Sequence, residues 1–506
     1  MVQLLLCELH SIFEGFFKNK IMENKTHHNN PSDYILAGLF VMLELGNIVL
    51  MESSLNLLIT IPEALYVLYI LFKQGNIRRA LLLHVAFCLT GFDATATDSE
   101  MQLYSYPEAK LVGPLTLSYV ILGLIWTQSL KLPIRSYVKN TLIYRFRKTI
   151  LIIMAYGFGV GFIGLMLFQY RFNDFITPFV YICVGFVFLD VIVKLYDYDF
   201  LKKCYQYSFC LIVASPLATF ISFFLLNVRT TYSIYDSLIS NEIFGFCPAL
   251  LLFLIMKDKC NKTLLWIGLI TFFACIFVAG RGAAFYDLAG CFFIIALLVY
   301  SKSPVIRPIY SKILTIGLPL GLIALVSYSH IMELGDSLGT RKLSELFSMF
   351  EALGSVSTAG MDITGISESP YVRIAEALNI LDNGLNNIFG LLFGYGYGGF
   401  FTDSTHLFQN ATLLDAYPQE YINTGRYGAA HSFLPTILLY NGVIGFILIA
   451  HLGVSYLKKT KYTPLAFVSF SLFFHGFYFN TLAILAAAFI LFAAEYKIEY
   501  NSVTKS

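Results

Sequence analysis

The sequence predicts an all-α fold: a polytopic transmembrane helical bundle of about 12–14 spans with one large outer loop containing short helices. Three observations predict it. Hydrophobic residues make up 57% of the 506 positions and charged residues only 13%, about half the charged share of an ordinary soluble domain. Mean hydropathy is +0.69. Apolar runs of about 18 residues, long enough to cross a bilayer, recur from end to end. They are interrupted once, by a polar stretch near the C-terminus.

Residues 1–33 read as a cytoplasmic leader. They are mixed and charged, without the apolar core of a cleavable signal peptide, and Met22 is an alternative start. Residues 34–329 then form the main bundle, with spans expected near 34–51, 54–72, 80–95, 111–130, 149–168, 176–194, 207–227, 243–256, 263–280, 284–300 and 313–329. Residues 330–430 are the large loop. Residues 431–495 carry the last spans, near 431–450, 464–480 and 481–495, and 496–506 form a cytoplasmic tail. Basic residues mark the cytoplasmic side of membrane helices. An N-terminus inside places 26 of the 34 Lys and Arg in cytoplasmic segments, among them Lys73 to Arg79, Lys131 to Lys148 and Lys202–Lys203. Both termini are then cytoplasmic and the loop is outside. Most of the nine cysteines fall in spans and none in 330–430, so no disulfide framework is expected. The basic loops are topology signals, and nothing supports a nucleic-acid partner.

A loop of this length is usually functional or disordered, and its sequence is not low-complexity. Thr340 suits the start of a short helix with Leu343, Leu346, Phe347 and Phe350 on one face and Gly354 as its stop. Ser369 and Pro370 suit the cap and first residue of a second helix with an apolar stripe of Ala375, Leu378 and Leu381. Phe393 to Gly399, with Gly394, Gly396, Gly398 and Gly399, predicts a turn-rich backbone with little side-chain cover. No strand precedes those glycines, so they are not a dinucleotide fingerprint.

The candidate chemistry gathers around this loop. His431 and Ser432 open a span directly after it, a titratable pair where the bilayer face meets water. Gly442 and Gly445 follow one turn apart, a spacing that lets another helix approach closely. Arg281 sits in a tight outward turn of small residues, Ala279 to Ala284. An arginine there either snorkels to headgroups or offers a fixed guanidinium. Arg373 lies in the first turn of the Ser369 helix, where positive charge opposes the helix dipole. It either pairs with Glu376 or clamps an anion. Arg426 is a third cation, five residues before His431. His84 and His475 lie within spans and read as satisfied core histidines. Intramembrane Glu44, Glu63, Asp190 and Asp287 suit an ion pathway. No Cys/His cluster has metal-ligand spacing, so no metal or cofactor is expected.

These pieces resemble the bacterial O-antigen polymerase and O-antigen ligase superfamily. The shared features are many spans with one large outer loop near the C-terminus, an Arg-x-x-x-Leu-type motif matched by Arg281 to Phe285 with Phe in place of Leu, and His-[Asn/Ser/Gln]-x9-Gly-x-x-[Gly/Thr/Tyr], matched by His431 to Gly445. Arg373 and Gly384 fit a looser Arg-x10-Gly spacing. The motifs cover about 263–450; the N-terminal half is similar only in spanning a membrane. The resemblance implies a metal-independent, inverting transfer of an undecaprenyl-diphosphate-linked oligosaccharide on the outer face of the inner membrane. His431, Arg281 and Arg373 would be the catalytic residues, and Arg426, Ser432, Gly394, Gly396 and Gly398 would bind substrate. The partners implied are the lipid-linked oligosaccharide, membrane lipids and a chain-length regulator protein. A polymerase is the first expectation and a ligase to lipid A–core the second. A flippase or transporter belongs to a different class.

Overall fold

The computed structural model describes residues 31–50, 53–91, 104–112, 115–226, 261–279, 368–410, 417–428, 430, 433–459 and 481–503. The described part is a helical bundle whose only sheet is one two-stranded hairpin. Five of its helices are long and apolar enough to cross a membrane: Pro31–Val49 (α1), Ser54–Lys73 (α2), Leu142–Leu167 (α5), Phe172–Leu195 (α6) and Pro435–Leu452, within the longer Phe433–Lys459 (α12). The spans expected at 243–256, 284–300, 313–329 and 464–480 lie outside the described residues, as does the Thr340 helix.

Local chemistry sets the helix starts. Ser53 Oγ accepts from Leu55 N at the head of α2. Asn76 Oδ1 accepts from Arg79 N to open Ile77–Thr90 (α3). Asp197 Oδ1 accepts from Phe200 N to open Tyr198–Phe220 (α7). Each satisfies a backbone N–H that a first helical turn leaves unpaired. Helix α7 is central and packs on α1, α3, Lys262–Ala279 (α8) and Thr481–Val503 (α13).

Three expected spans differ in the structure; the one expected from 207 begins at Tyr198, where Asp197 caps it. The run at 111–130 is a hairpin, Lys110–Val112 (β1) with Leu115–Thr116 (β2), followed by Leu117–Ser129 (α4). Thirteen residues make a helix of about 20 Å, short of the roughly 30 Å hydrocarbon core. The span expected from 149 begins two turns earlier, at Leu142. Arg147 there is neutralised by Asp190 on α6, which also takes Lys194 and the Trp126 indole N–H. A charge that looks like a helix boundary is instead paired inside the bundle.

Contacts sort the helix ends into two groups. Gln206 binds Ser32 and Asp33, Arg78 pairs with Asp197, and Glu495 accepts from Leu142 N and Tyr196 Oη. The first and last described helices therefore start and finish at one common end, which also holds Arg147 and Lys194. The opposite end joins the α5–α6 turn to the loop residues that follow α9 and α10, described next.

Candidate functional site

Glu368–Asn386 (α9) is the helix expected from Ser369 and Pro370, and it carries Arg373 on its exposed side. Its buried face is rotated from the expected apolar stripe. Tyr371, Val372, Ala375, Glu376, Asn379 and Ile380 are buried, whereas Leu381 is exposed. The polar members of that face are satisfied from the chain that follows. Glu376 Oε1 accepts from Tyr417 Oη at 2.5 Å. Asn379 donates to Asp403 Oδ1 and accepts from Thr405 N and Thr405 Oγ1, each at 2.9 Å. Asn383, one turn on, donates to the Thr402 carbonyl and accepts from Thr402 N. Two asparagines spaced i, i+4 thus hold residues 402–405 against one helix face.

Outside this clamp an aromatic nest forms. Tyr427 has ring centroids of Phe408 and Tyr417 at 4.8 and 4.9 Å, and Phe401 exchanges two backbone hydrogen bonds with Tyr427. Burial, reinforced by the Glu376 carboxylate, pushes the Tyr417 phenol far above the ordinary tyrosine range, so it stays a neutral donor. The short helix Gln419–Thr424 (α11) ties the nest to the bundle. Tyr421 Oη donates to Asp174 Oδ1 at 2.5 Å. Arg171 pairs with Glu420 at 3.2 Å and lies over the Tyr421 ring. Residues 400–410 and 417–427 therefore sit at the α5–α6 turn, the end away from Arg147 and Lys194.

Between α9 and the nest the chain dips into the bundle. Ile388–Phe393 (α10) leads to Gly394, and the Phe393 carbonyl accepts from Tyr156 Oη, midway along α5, at 2.5 Å. The backbone then runs through Gly394, Gly396 and Gly398 with φ of +73°, +72° and +80°. Tyr397 is fully buried, donates its N–H to Gly157 O, and fills the space over Gly157. A Cβ on Gly396 would lie 2.1 Å from Gly161 N. The turn-rich backbone was expected; its burial between two long helices was not.

The facing helix is broken at the same level. Gly442 in α12 has φ +60° and ψ −165°, outside helical geometry. Leu439 O accepts from Tyr395 N at 2.7 Å and Tyr440 O from Gly396 N at 2.9 Å. A break in a membrane-embedded helix must have its backbone groups satisfied by protein, and the glycine loop does this. A Cβ on Gly442 would strike Gly394 N and Leu392 O, so the last turn of α10 and the loop leaving it approach α12 closely at the break. A Cβ on Gly445 would lie 2.2 Å from Asn441 Cβ, so this glycine relieves its own broken helix. The N–H groups of Gly394 and Gly396 are spent on Gly390 O and Tyr440 O.

Of the candidate cations, Arg373 is exposed and makes no ion pair with a described residue; Glu376 is turned inward to Tyr417. Arg426 is exposed and stacks over Phe400, 4.8 Å from the ring centroid. Arg281, His431 and Ser432 lie outside the described residues. Ala430, just before His431, is buried, and its carbonyl accepts from Thr436 Oγ1. The sequence reading missed Asp174, Arg171, Asn379 and Asn383. The asparagine pair left a signal, since 376, 379 and 383 form a polar stripe at helical spacing, but only apolar stripes were read as buried. Among the described residues no three His, Cys, Asp or Glu side chains converge as metal ligands. No family model, no curated protein and no solved structure matches the chain.

Proposed function

We propose that this helical membrane protein is a polymerase that joins undecaprenyl-diphosphate-linked oligosaccharide repeats into O-antigen or capsular polysaccharide on the outer face of the bacterial inner membrane. One observation carries the reading: α9, whose exposed Arg373 makes no ion pair with a described residue, packs directly on α12, the helix that follows His431 in the chain. Through the glycine seam the helix carrying Arg373 and the helix that follows His431 in the chain belong to one packed unit. The acceptor hydroxyl attacks the anomeric carbon as the bond to the diphosphate breaks. A neutral histidine takes the hydroxyl proton, and arginine forks meet the charge growing on the departing diphosphate.

His431→Ala is expected to abolish polymer while protein level and membrane insertion stay normal; His475→Ala is expected to be mild. Polymer at wild-type length and amount from His431→Ala, at equal expression, removes the general-base role. A lipopolysaccharide gel of a deletion strain separates the related activities. One repeat on core identifies a polymerase, and core alone a ligase or a flippase.

A second reading, translocation without bond formation, is favoured by the broken helix at Gly442 and the loop seated in it, a pairing that transporters use at substrate sites. Extension of lipid-linked repeats by the purified protein in detergent micelles, where no compartments exist, separates the two.

A further inference from the structure

A second polar cluster lies inside the bundle, away from the glycine seam. Asn56, Thr60 and Glu63 are spaced i, i+4, i+7, so they share one face of α2. All three are buried, with Asn56 0% and Glu63 5% exposed. Thr60 Oγ1 donates to Tyr104 O at 2.7 Å, which sets this face against residues 104–109. Opposite stand His84 and Cys88 on α3. His84 Nδ1 bonds Tyr106 Oη at 2.9 Å, and its Nε2 lies 3.7 Å from Cys88 Sγ, so both ring nitrogens are occupied.

Glu63 is the anomaly. Among the described residues neither carboxylate oxygen has a hydrogen-bond partner, and neither polar atom of the Asn56 amide has one. Among the described residues the titratable groups that feel its charge are Cys88 and Tyr106. Neither supplies positive charge, and no described Lys or Arg pairs with Glu63. An isolated carboxylate in such a place is too costly to keep ionised unless a positive charge joins it. Among the described residues the other buried carboxylates each have at least one partner: Asp190 has Arg147 and Lys194, Glu495 the Leu142 N–H and the Tyr196 hydroxyl, Glu376 the Tyr417 hydroxyl, and Glu44 accepts from Ser215 Oγ through one of its two oxygens.

We infer that the Glu63 carboxylate, between α2, α3 and residues 104–109, is a binding site for one monovalent cation, H+ or Na+. Asn56 and Thr60 supply neutral polar groups along the same face, toward the end of the bundle where α2 begins. The site is separate from the proposed transfer chemistry and does not rest on it.

The test is thermal unfolding of the full-length protein in detergent, from pH 5.5 to 8.5, in NaCl and in choline chloride at matched ionic strength. If H+ is the ligand, wild type loses stability as pH rises in either salt. If Na+ is the ligand, NaCl restores saturably what high pH removes, and choline does not. Glu63→Gln, of the same shape, is expected to flatten both responses. Glu63→Asp is expected to keep a response with a shifted midpoint. Glu495→Gln is expected to lower the unfolding temperature yet leave the dependence on pH and Na+ in place. Superimposable profiles for wild type and Glu63→Gln overturn the site. So does loss of the response in Glu495→Gln, which makes it a general property of the bundle.

Discussion

Gly396→Ala tests the seam between the glycine loop and the broken helix. Two costs are separable there. The first is conformational: φ is +72°, and a Cβ in the left-handed region costs about 1–2 kcal/mol. The second is steric. The new methyl carbon would stand 2.1 Å from Gly161 N and 2.6 Å from Gly161 Cα, backbone atoms of α5 that cannot swing away as a side chain tip can. Overpacking of that kind costs about 1–3 kcal/mol, so the sum is about 2–5 kcal/mol. Gly425 supplies the control, since its φ is +63° and nothing lies within 4 Å of its hypothetical Cβ. Gly425→Ala should therefore lose only the conformational part. The assay is equilibrium unfolding of both purified variants in mixed micelles, with polymer formation read in parallel. A Gly396→Ala protein no less stable than Gly425→Ala would refute the close approach of loop and helix, and with it the account of the break at Gly442.

Three further outcomes are expected: the first rests on the proposed function, the second on the geometry of the asparagine clamp and the third on the distribution of basic residues. Arg373→Lys and Arg281→Lys should stay impaired in extending purified lipid-linked repeats, by roughly 30- to 1,000-fold, because a point charge does not replace a two-pronged contact to the leaving group; wild-type rates would remove both from the site. Asn379→Ala strips the acceptor from Thr405 and the donor from Asp403 and should cost about 1–3 kcal/mol, seen as a lower unfolding temperature and faster proteolysis within 400–408; no change in either would mean the clamp is not holding the loop. A reporter fused near Asp403 should be active only outside the cytoplasm and one near Lys139 only inside, and the reverse pattern would contradict the topology and the proposed site together.

What was legible in the sequence is what short-range physics determines. Long apolar runs located α1, α2, α5 and α6 to within a turn or two, and Ser369–Pro370 located the start of α9. The turn-rich backbone at 393–399 followed from its glycines, of which Gly394, Gly396 and Gly398 have positive φ. Errors arose where the deciding partner is far away in the chain. Arg147 looked like the edge of a span because Asp190, 43 residues on, is not visible in a local window. The apolar stripe of α9 was misassigned because Glu376 and Asn379 are buried by partners at 417, 403 and 405. The break at Gly442 is not legible because glycine spacing alone does not distinguish a close helix crossing from a helix break.

That last confusion bears on mechanism. A glycine at a helix crossing would let α12 lie flat against a neighbour, and the segment after Arg373 would be free to move over the membrane surface. A glycine at a break makes the two inseparable. Leu439 and Tyr440 need donors, and Tyr395 and Gly396 provide them from the segment that leaves α9. Neither the loop nor the break is stable alone in a low-dielectric interior, since each would bury unpaired backbone groups. The helix carrying Arg373 is thereby fixed relative to the helix that follows His431. Preorganisation of this kind makes an exposed guanidinium effective toward a diphosphate, because the donor need not be ordered when charge develops. An exposed arginine on an unanchored loop would give up that advantage.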